Sequence, residues 1–231
     1  TYLLTGDDAR KDQSYFLWRV PEQTLQRCLF PLGGLQKTHV REYLKKKGFE
    51  IVARQGESME VCFVEGDYRD FLREQCPDLE KHVAGGAFVN ETGQRLGLHR
   101  GVPFYTVGQR KGLGIALGHP AYVLRLNAEK NTIVLGEESA LQTSCFFVED
   151  WQAVCEPRFF SEKSLSVRIR YHCDSQPCRV QRLDDGRLLV CTDEPVSAVT
   201  PGQSAVFYVG NRLVAGAVIG AQKGIGLYAN P

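Results

Sequence analysis

Ala205-Val-Phe-Tyr-Val-Gly-Asn-Arg-Leu-Val-Ala-Gly-Ala-Val-Ile219 reads as two apolar strands hinged on Gly210-Asn211. Gly and Asn tolerate the backbone angles of a tight hairpin turn, so the fold is read outward from here. Just upstream, Thr200-Pro-Gly-Gln203 places Pro and Gly as a type II turn requires. Asp185-Gly186 is another hairpin turn, between Cys178-Arg-Val-Gln-Arg-Leu183 and Arg187-Leu-Leu-Val-Cys191. Leu165, Val167, Ile169 and Tyr171 alternate with Ser166, Arg168, Arg170 and His172, the period of a strand with one buried face. About six short strands at this spacing predict a small closed barrel over residues 144–231.

The middle of the chain is also β-rich. Phe88 to Leu96 reads as a hairpin turning near Glu91-Thr92-Gly93. Tyr122-Val-Leu-Arg-Leu126 and Thr132-Ile-Val-Leu135 form a second hairpin, and Phe104-Tyr-Thr-Val107 reads as a short strand. The first third is helical. Lys11 to Trp18 makes a short helix, and Pro21 opens another that runs to about Cys28. Thr38 caps a helix that ends at Gly48, with Val40, Tyr43 and Leu44 on one face. Lys45, Lys46 and Lys47 close that helix and suit its dipole. Glu50 to Arg54 and Val61 to Val64 read as strands, and Asp67 caps a helix through Gln75. The fold class is α+β, mostly β. Its divisions are 1–66, helical, then 67–143, a small β-rich domain, then 144–231, the barrel.

The 231 residues carry 28 Lys+Arg and 27 Asp+Glu and are 43% hydrophobic, which excludes a disordered or fibrous chain. No apolar run approaches the roughly 18 residues of a membrane span, and no export leader is visible. The first residue is Thr1 and the only methionine is Met59, so the sequence reads as a piece of something longer. The balanced total hides two opposed stretches. Thr92 to Ala128 contains no Asp or Glu, where the overall density predicts about four. It holds Gly108-Gln-Arg-Lys-Gly-Leu-Gly114, flanked by Tyr105 and Thr106. Arg110 and Lys111 among glycines suit phosphates, and Tyr105 suits a stacked base. The loop lacks the Lys-Ser/Thr of a P-loop. Residues 48–80, by contrast, hold nine acids against three basic residues. On the barrel, Arg168, Arg170 and His172 with Arg158, Lys163, Arg179 and Arg182 read either as a basic surface near Tyr171 or as a solvated strand face.

Eight cysteines are scattered with no C-x-x-C pair, and the five histidines form no ligand cluster, so no metal is expected. Without an export signal the thiols are expected reduced, in a cytoplasmic protein, and most of them packed in the core. Cys62 lies in the acidic stretch, where neighbouring carboxylates suppress a thiolate. Any cation that activates it must come from elsewhere in space.

Five motifs occur in one order. They are Lys11-Asp-Gln-Ser-Tyr-Phe-Leu17, Leu29-Phe-Pro-Leu-Gly33 and Glu57-Ser-Met-Glu-Val-Cys-Phe63, then Tyr105 to Gly114 and Glu194 to Tyr208. In these the chain resembles the C-terminal two thirds of the tRNA-specific 2-thiouridylases. The resemblance implies an enzyme that uses ATP to adenylate the C2 oxygen of the wobble uridine of tRNA. A cysteine persulfide then supplies sulfur to that carbon. It implies residues 1–66 as the end of a catalytic domain, a central domain, and a C-terminal barrel. The family's Ser-Gly-Gly-Val-Asp-Ser loop and first catalytic cysteine are not in this sequence, so the ATP site is assigned to no residue here.

The persulfide cysteine maps onto Cys62, where the family's Asp-Ser-Thr-Gly-Ile-Cys reads Glu57-Ser58-Met59-Glu60-Val61-Cys62. Met59-Glu60 in place of Thr-Gly reduces backbone freedom and adds a charge. The resemblance further implies tRNA contacts at Lys11, Asp12, Gln13, Arg170, Tyr171 and Gln203. The implied partners are tRNA and a sulfur-relay or cysteine desulfurase protein, with no membrane. Two other readings are a non-catalytic RNA-binding module and a free-standing sulfur carrier. The first predicts tRNA binding without ATP consumption, and the second a persulfide on Cys62 of this chain alone.

Overall fold

The computed structural model describes residues 2–56, 68–154 and 159–222. They fold as two compact units, residues 1–55 with 143–231, and residues 56–142. In chain order the elements are β1 (Leu3–Leu4), α1 (Glu22–Leu25), α2 (Lys37–Lys46), α3 (Glu50–Arg54), α4 (Tyr68–Gln75) and α5 (Leu79–Val83). Then follow β2 (Ala87–Val89), β3 (Arg95–Leu98), β4 (Tyr122–Asn127), β5 (Thr132–Gly136) and β6 (Gln142–Ala153). The chain continues with β7 (Leu165–Arg168), β8 (Gln176–Arg182), β9 (Leu188–Ser197), β10 (Ser204–Val209) and β11 (Arg212–Ile219).

The expected barrel is present. Six strands run in the order β11-β10-β7-β8-β9-β6, and β6 pairs back onto β11 to close the cylinder. The hairpin turns fall where the sequence places them, with Gly186, Gly202 and Gly210 all at positive φ. Phe146, Leu165, Val167, Val190, Phe207 and Val214 fill the interior. Closure also sets Cys145 of β6 beside Cys191 of β9, and the two are joined by a disulfide, their Cα atoms 4.1 Å apart. The expectation of reduced, packed thiols is corrected for this pair, because residues 46 apart in sequence meet on neighbouring strands. Cys178 does pack, and burial, then Asp193, pushes its thiol up to about 12. Cys28 and Cys76 are exposed.

Strand β10 is buried on both faces. Ala205 and Phe207 face the interior, whereas Val206 and Tyr208 pack outward against Leu3, Tyr15, Trp18 and Leu25. That is why this strand reads as an unbroken apolar run rather than an alternation. The N-terminal segment is thus a second layer on the barrel wall, tied further by β1 pairing with β11. Trp18 packs against Gly216, where any Cβ would collide with the indole, and its Nε1 donates to Ser204 Oγ at 3.0 Å.

Several local expectations are corrected. Glu50–Arg54 is a helix rather than a strand. Glu50 and Arg54 pair across one turn at 3.0 Å, and Ile51 and Val52 stay exposed, so no sheet recruits them. Helix α2 begins at Lys37, not after a Thr38 cap, because Asp8 Oδ2 accepts the Lys37 N–H at 2.9 Å. Lys11–Trp18 yields only a 3-10 turn at Ser14–Phe16, and Phe104 closes another at Val102–Phe104 instead of starting a strand. Strand β7 stops at Arg168, and Arg170, Tyr171 and His172 lie on the turn beyond it, His172 at φ 55°. They therefore share no strand face with Arg168.

The second unit holds a four-stranded sheet in the order β3-β2-β5-β4, with β2 and β5 parallel. Its core is Phe88, Phe104, Tyr105, Leu113, Val123, Ile133 and Leu135. His99 is buried in that core. Its Nδ1 accepts the Gly101 N–H at 3.0 Å, so the proton sits on Nε2, which donates to Asn131 O at 3.2 Å. Burial holds its pKa below the usual histidine range.

Candidate functional site

A groove of about 1150 Å³ runs along the N-terminal segment, and its walls include Lys11, Asp12, Gln13, Phe16, Cys28 and Tyr171. Four of these are among the residues singled out in the sequence. The elements that bring them together are the turn at Ser14–Phe16 and the turn after β7.

Asp12 builds the first of these turns. Its Oδ1 accepts the backbone N–H of Ser14 at 3.0 Å and of Gly6 at 3.1 Å. Its Oδ2 accepts from Ser14 Oγ and from Arg168 Nη1, both at 2.9 Å. The carboxylate is buried, at 3% side-chain exposure, and fully occupied. Arg168 also lies over the Tyr208 ring at 4.7 Å, and Ser14 Oγ and Tyr208 OH are 3.1 Å apart. Asp12 is thus turned into the protein, while Lys11 and Gln13 on either side of it are not buried.

Arg170 is pinned to the loop before β10. Its Nη2 donates to Ala198 O at 2.7 Å and to Thr200 Oγ1 at 3.3 Å. Among the described residues Arg170 has no carboxylate partner, so its charge is not neutralised as that of Arg168 is. Gln203 sits on the same loop, its backbone bonded to Thr200 and Ile219. Arg168 Nε, Arg170 Nε and Gln203 Oε1 are buried and have no hydrogen-bond partner among the described residues. Tyr15 is buried beneath, donating to Ser204 O at 2.8 Å, and burial leads the effects that push its hydroxyl up to about 12.

Arg110 and Lys111 lie in the other unit, exposed on the glycine loop. Gln109 braces that loop by accepting the Thr106 N–H at 3.1 Å and donating to Lys111 O at 2.9 Å. Tyr105 is not available to stack a base. It is buried against Phe88 and His99, with ring centroids 5.3 and 5.8 Å away. Cys62, with Met59 and Glu60, lies outside the described residues. Among the described residues no group of three or more His, Cys, Asp or Glu side chains could hold a metal ion. No described helix is long and apolar enough to cross a membrane.

Phe16 is a site residue that sequence reasoning misses, and for Arg168 it misses the partner, Asp12. Phe16 sits within the first motif, but a helix reading of Lys11–Trp18 gives no reason to turn its ring outward. Arg168 reads as one more solvated strand residue until the fold sets Asp12 beside it.

Three family models match successive parts of the chain. They are a tRNA methyl transferase HUP domain over residues 1–66, a tRNA methyl transferase PRC-barrel domain over 69–137, and an aminomethyltransferase beta-barrel domain over 143–219. The three follow one another along the chain and together reach from residue 1 to residue 219. A tRNA-specific 2-thiouridylase MnmA 3 of Bacteroides fragilis is 55% identical over 226 residues, 98% of this chain and 62% of the relative. One of the same name from Phocaeicola vulgatus is 57% identical over 224 residues, 97% of this chain and 60% of the relative. A tRNA-specific 2-thiouridylase MnmA of Cytophaga hutchinsonii is 42% identical over 213 residues, 91% of this chain and 58% of the relative. The chain is similar to tRNA-specific 2-thiouridylases along nearly its whole length, and it spans about three fifths of the length of these relatives.

Proposed function

We propose that this chain is the tRNA-holding and sulfur-carrying part of a tRNA-uridine 2-sulfurtransferase. The observation that carries the reading is the groove that gathers Lys11, Gln13 and Tyr171, with Arg170 one residue away. An ammonium, a carboxamide, a phenol ring and a guanidinium are the groups that hold phosphates, base edges and base faces. The orphaned Nε of Arg170 and Oε1 of Gln203 supply a further donor and acceptor at the same end of the barrel. The exposed Arg110 and Lys111 add phosphate contacts from the second unit.

Cys62 is proposed as the persulfide carrier: its outer sulfur attacks C2 of the wobble uridine and displaces the adenylated oxygen as AMP. A second thiol, proposed to lie outside this chain, then attacks Cys62 Sγ, so that a disulfide forms as the thiolated base leaves. ATP supplies the adenylate, and its site is proposed to lie outside this chain. Tyr43, Phe49, Ile51 and Val52 are large apolar side chains left exposed on the N-terminal segment outside the groove. Exposed apolar side chains in such number mark a surface that further protein covers. The chain alone is therefore proposed to be inactive in thiolation. The test is Cys62→Ala in the full-length enzyme, which is expected to abolish wobble-uridine thiolation. If thiolation persists in that variant, Cys62 is not the carrier.

A further inference from the structure

We propose that Phe16, backed by Tyr171 and His172, is a stacking platform for one unpaired nucleobase of the bound RNA, an inference that rests on the tRNA-binding reading above. Phe16 stands at the end of a turn whose other members, Ser14 and Tyr15, are buried, yet Phe16 itself is 57% exposed. The exposure does not come from a loose turn. Asp12 fixes the turn through four hydrogen bonds, two to its backbone and side chain at Ser14, one to Gly6 and one to Arg168.

Behind Phe16 the rings continue. Its centroid is 4.6 Å from that of Tyr171, which is 3.9 Å from the His172 imidazole and 6.4 Å from Tyr15. His172 adopts a left-handed backbone there, at φ 55°, which histidine tolerates better than most residues. Four rings from two distant segments thus converge. Two of them, Phe16 and Tyr171, line the groove, and Phe16 is the more exposed of that pair.

An apolar face alone would suit a protein partner equally. The neighbours decide otherwise. Lys11 and Gln13 line the groove with Phe16, as do Asp7, Asp8 and Glu22, and Arg170 precedes Tyr171 with no acidic partner among the described residues. A π-face bordered by a cation and a carboxamide is the combination by which proteins hold single-stranded nucleic acid: rings take the bases and cations the phosphates. Every base offers a π-face, so the platform takes an unpaired base without demanding its identity. Lys11, by contrast, reads only the backbone.

The experiment titrates the 231-residue chain with fluorescein-labelled tRNA and with an RNA duplex lacking unpaired bases, at several salt concentrations. Phe16→Ala is expected to weaken tRNA binding by roughly 5- to 150-fold, the range that loss of one stacked base produces. Duplex binding and the salt slope are expected to stay unchanged, because no phosphate contact is lost. Phe16→Leu fills the same space without a ring and is expected to weaken tRNA binding like Phe16→Ala, while Phe16→Tyr retains it. The leucine variant also guards against a folding defect. If the wild-type chain binds no tRNA, the functional reading itself fails and the platform with it. If the wild-type chain binds tRNA and either Phe16→Ala or Phe16→Leu binds as tightly, the platform alone is overturned.

Discussion

Replacing Asp12 by Ala tests whether this residue faces RNA or the protein. In the structure its carboxylate accepts four hydrogen bonds, from Gly6, from Ser14 twice and from Arg168, all at 2.9 to 3.1 Å. Removing one partner of a buried ion pair costs about 3–5 kcal/mol, because the other charge is left without compensation. Arg168 keeps 25% side-chain exposure, so water recovers part of that cost. Loss of two backbone N–H acceptors adds to it, since those donors lose a charge-assisted bond. The balance is a destabilisation of about 2–4 kcal/mol. Asp12→Asn keeps one acceptor for the backbone but turns an NH₂ toward Arg168 or Ser14, and is expected to cost about 1–2 kcal/mol.

Urea unfolding followed by tryptophan fluorescence is the assay, because Trp18 and Trp151 both lie in the unit that Asp12 stabilises. A double-mutant cycle with Arg168→Met isolates the pair, and a coupling above about 1 kcal/mol is expected. The reasoning is refuted if Asp12→Ala unfolds within about 0.5 kcal/mol of wild type. A loss of tRNA affinity at unchanged stability would return Asp12 to the RNA-contacting set.

Two further outcomes follow from buried contacts. His99 is held neutral by burial with its folded-state pKa lowered, so below the unfolded value of about 6.5 the unfolded chain binds a proton that the folded chain resists. Stability is therefore full above that value and falls as pH drops from it toward the lower folded-state value. Thermal melts at pH 7.5 and 5.0 are expected to show a smaller acid loss in His99→Gln, and an equal loss in both proteins would sink the argument. Gly216→Ala drives a Cβ into the Trp18 indole, which cannot retreat because it is buried and bonded to Ser204. A loss of about 1–3 kcal/mol with a shifted Trp18 emission is expected. Unchanged emission and stability would show that the N-terminal layer does not press on β11.

What the sequence disclosed and what it concealed divide along one physical line. Turns announced themselves, because Gly186, Gly202 and Gly210 are where the backbone needs positive φ. The barrel followed from them and from the alternation of Leu165 and Val167, whose side chains are both inside. Alternation alone does not say where pairing stops, so Ile169 and Tyr171 kept the period through what is a turn. The five residues of α3 are too short for either period to declare itself. Side-chain direction within the Lys11-Asp12-Gln13 motif was wholly hidden. Three consecutive polar residues read alike in sequence, but only one of them meets Arg168, 156 positions away. That pairing depends on closure of the barrel and on the N-terminal layer lying across β10. It also explains how one motif serves two ends: the middle residue nails the turn to the barrel, and so its neighbours and Phe16 are held at the groove. An Asp12 variant is therefore expected to weaken RNA binding only in proportion to the loss of that anchoring, and a Phe16 variant without any loss of stability.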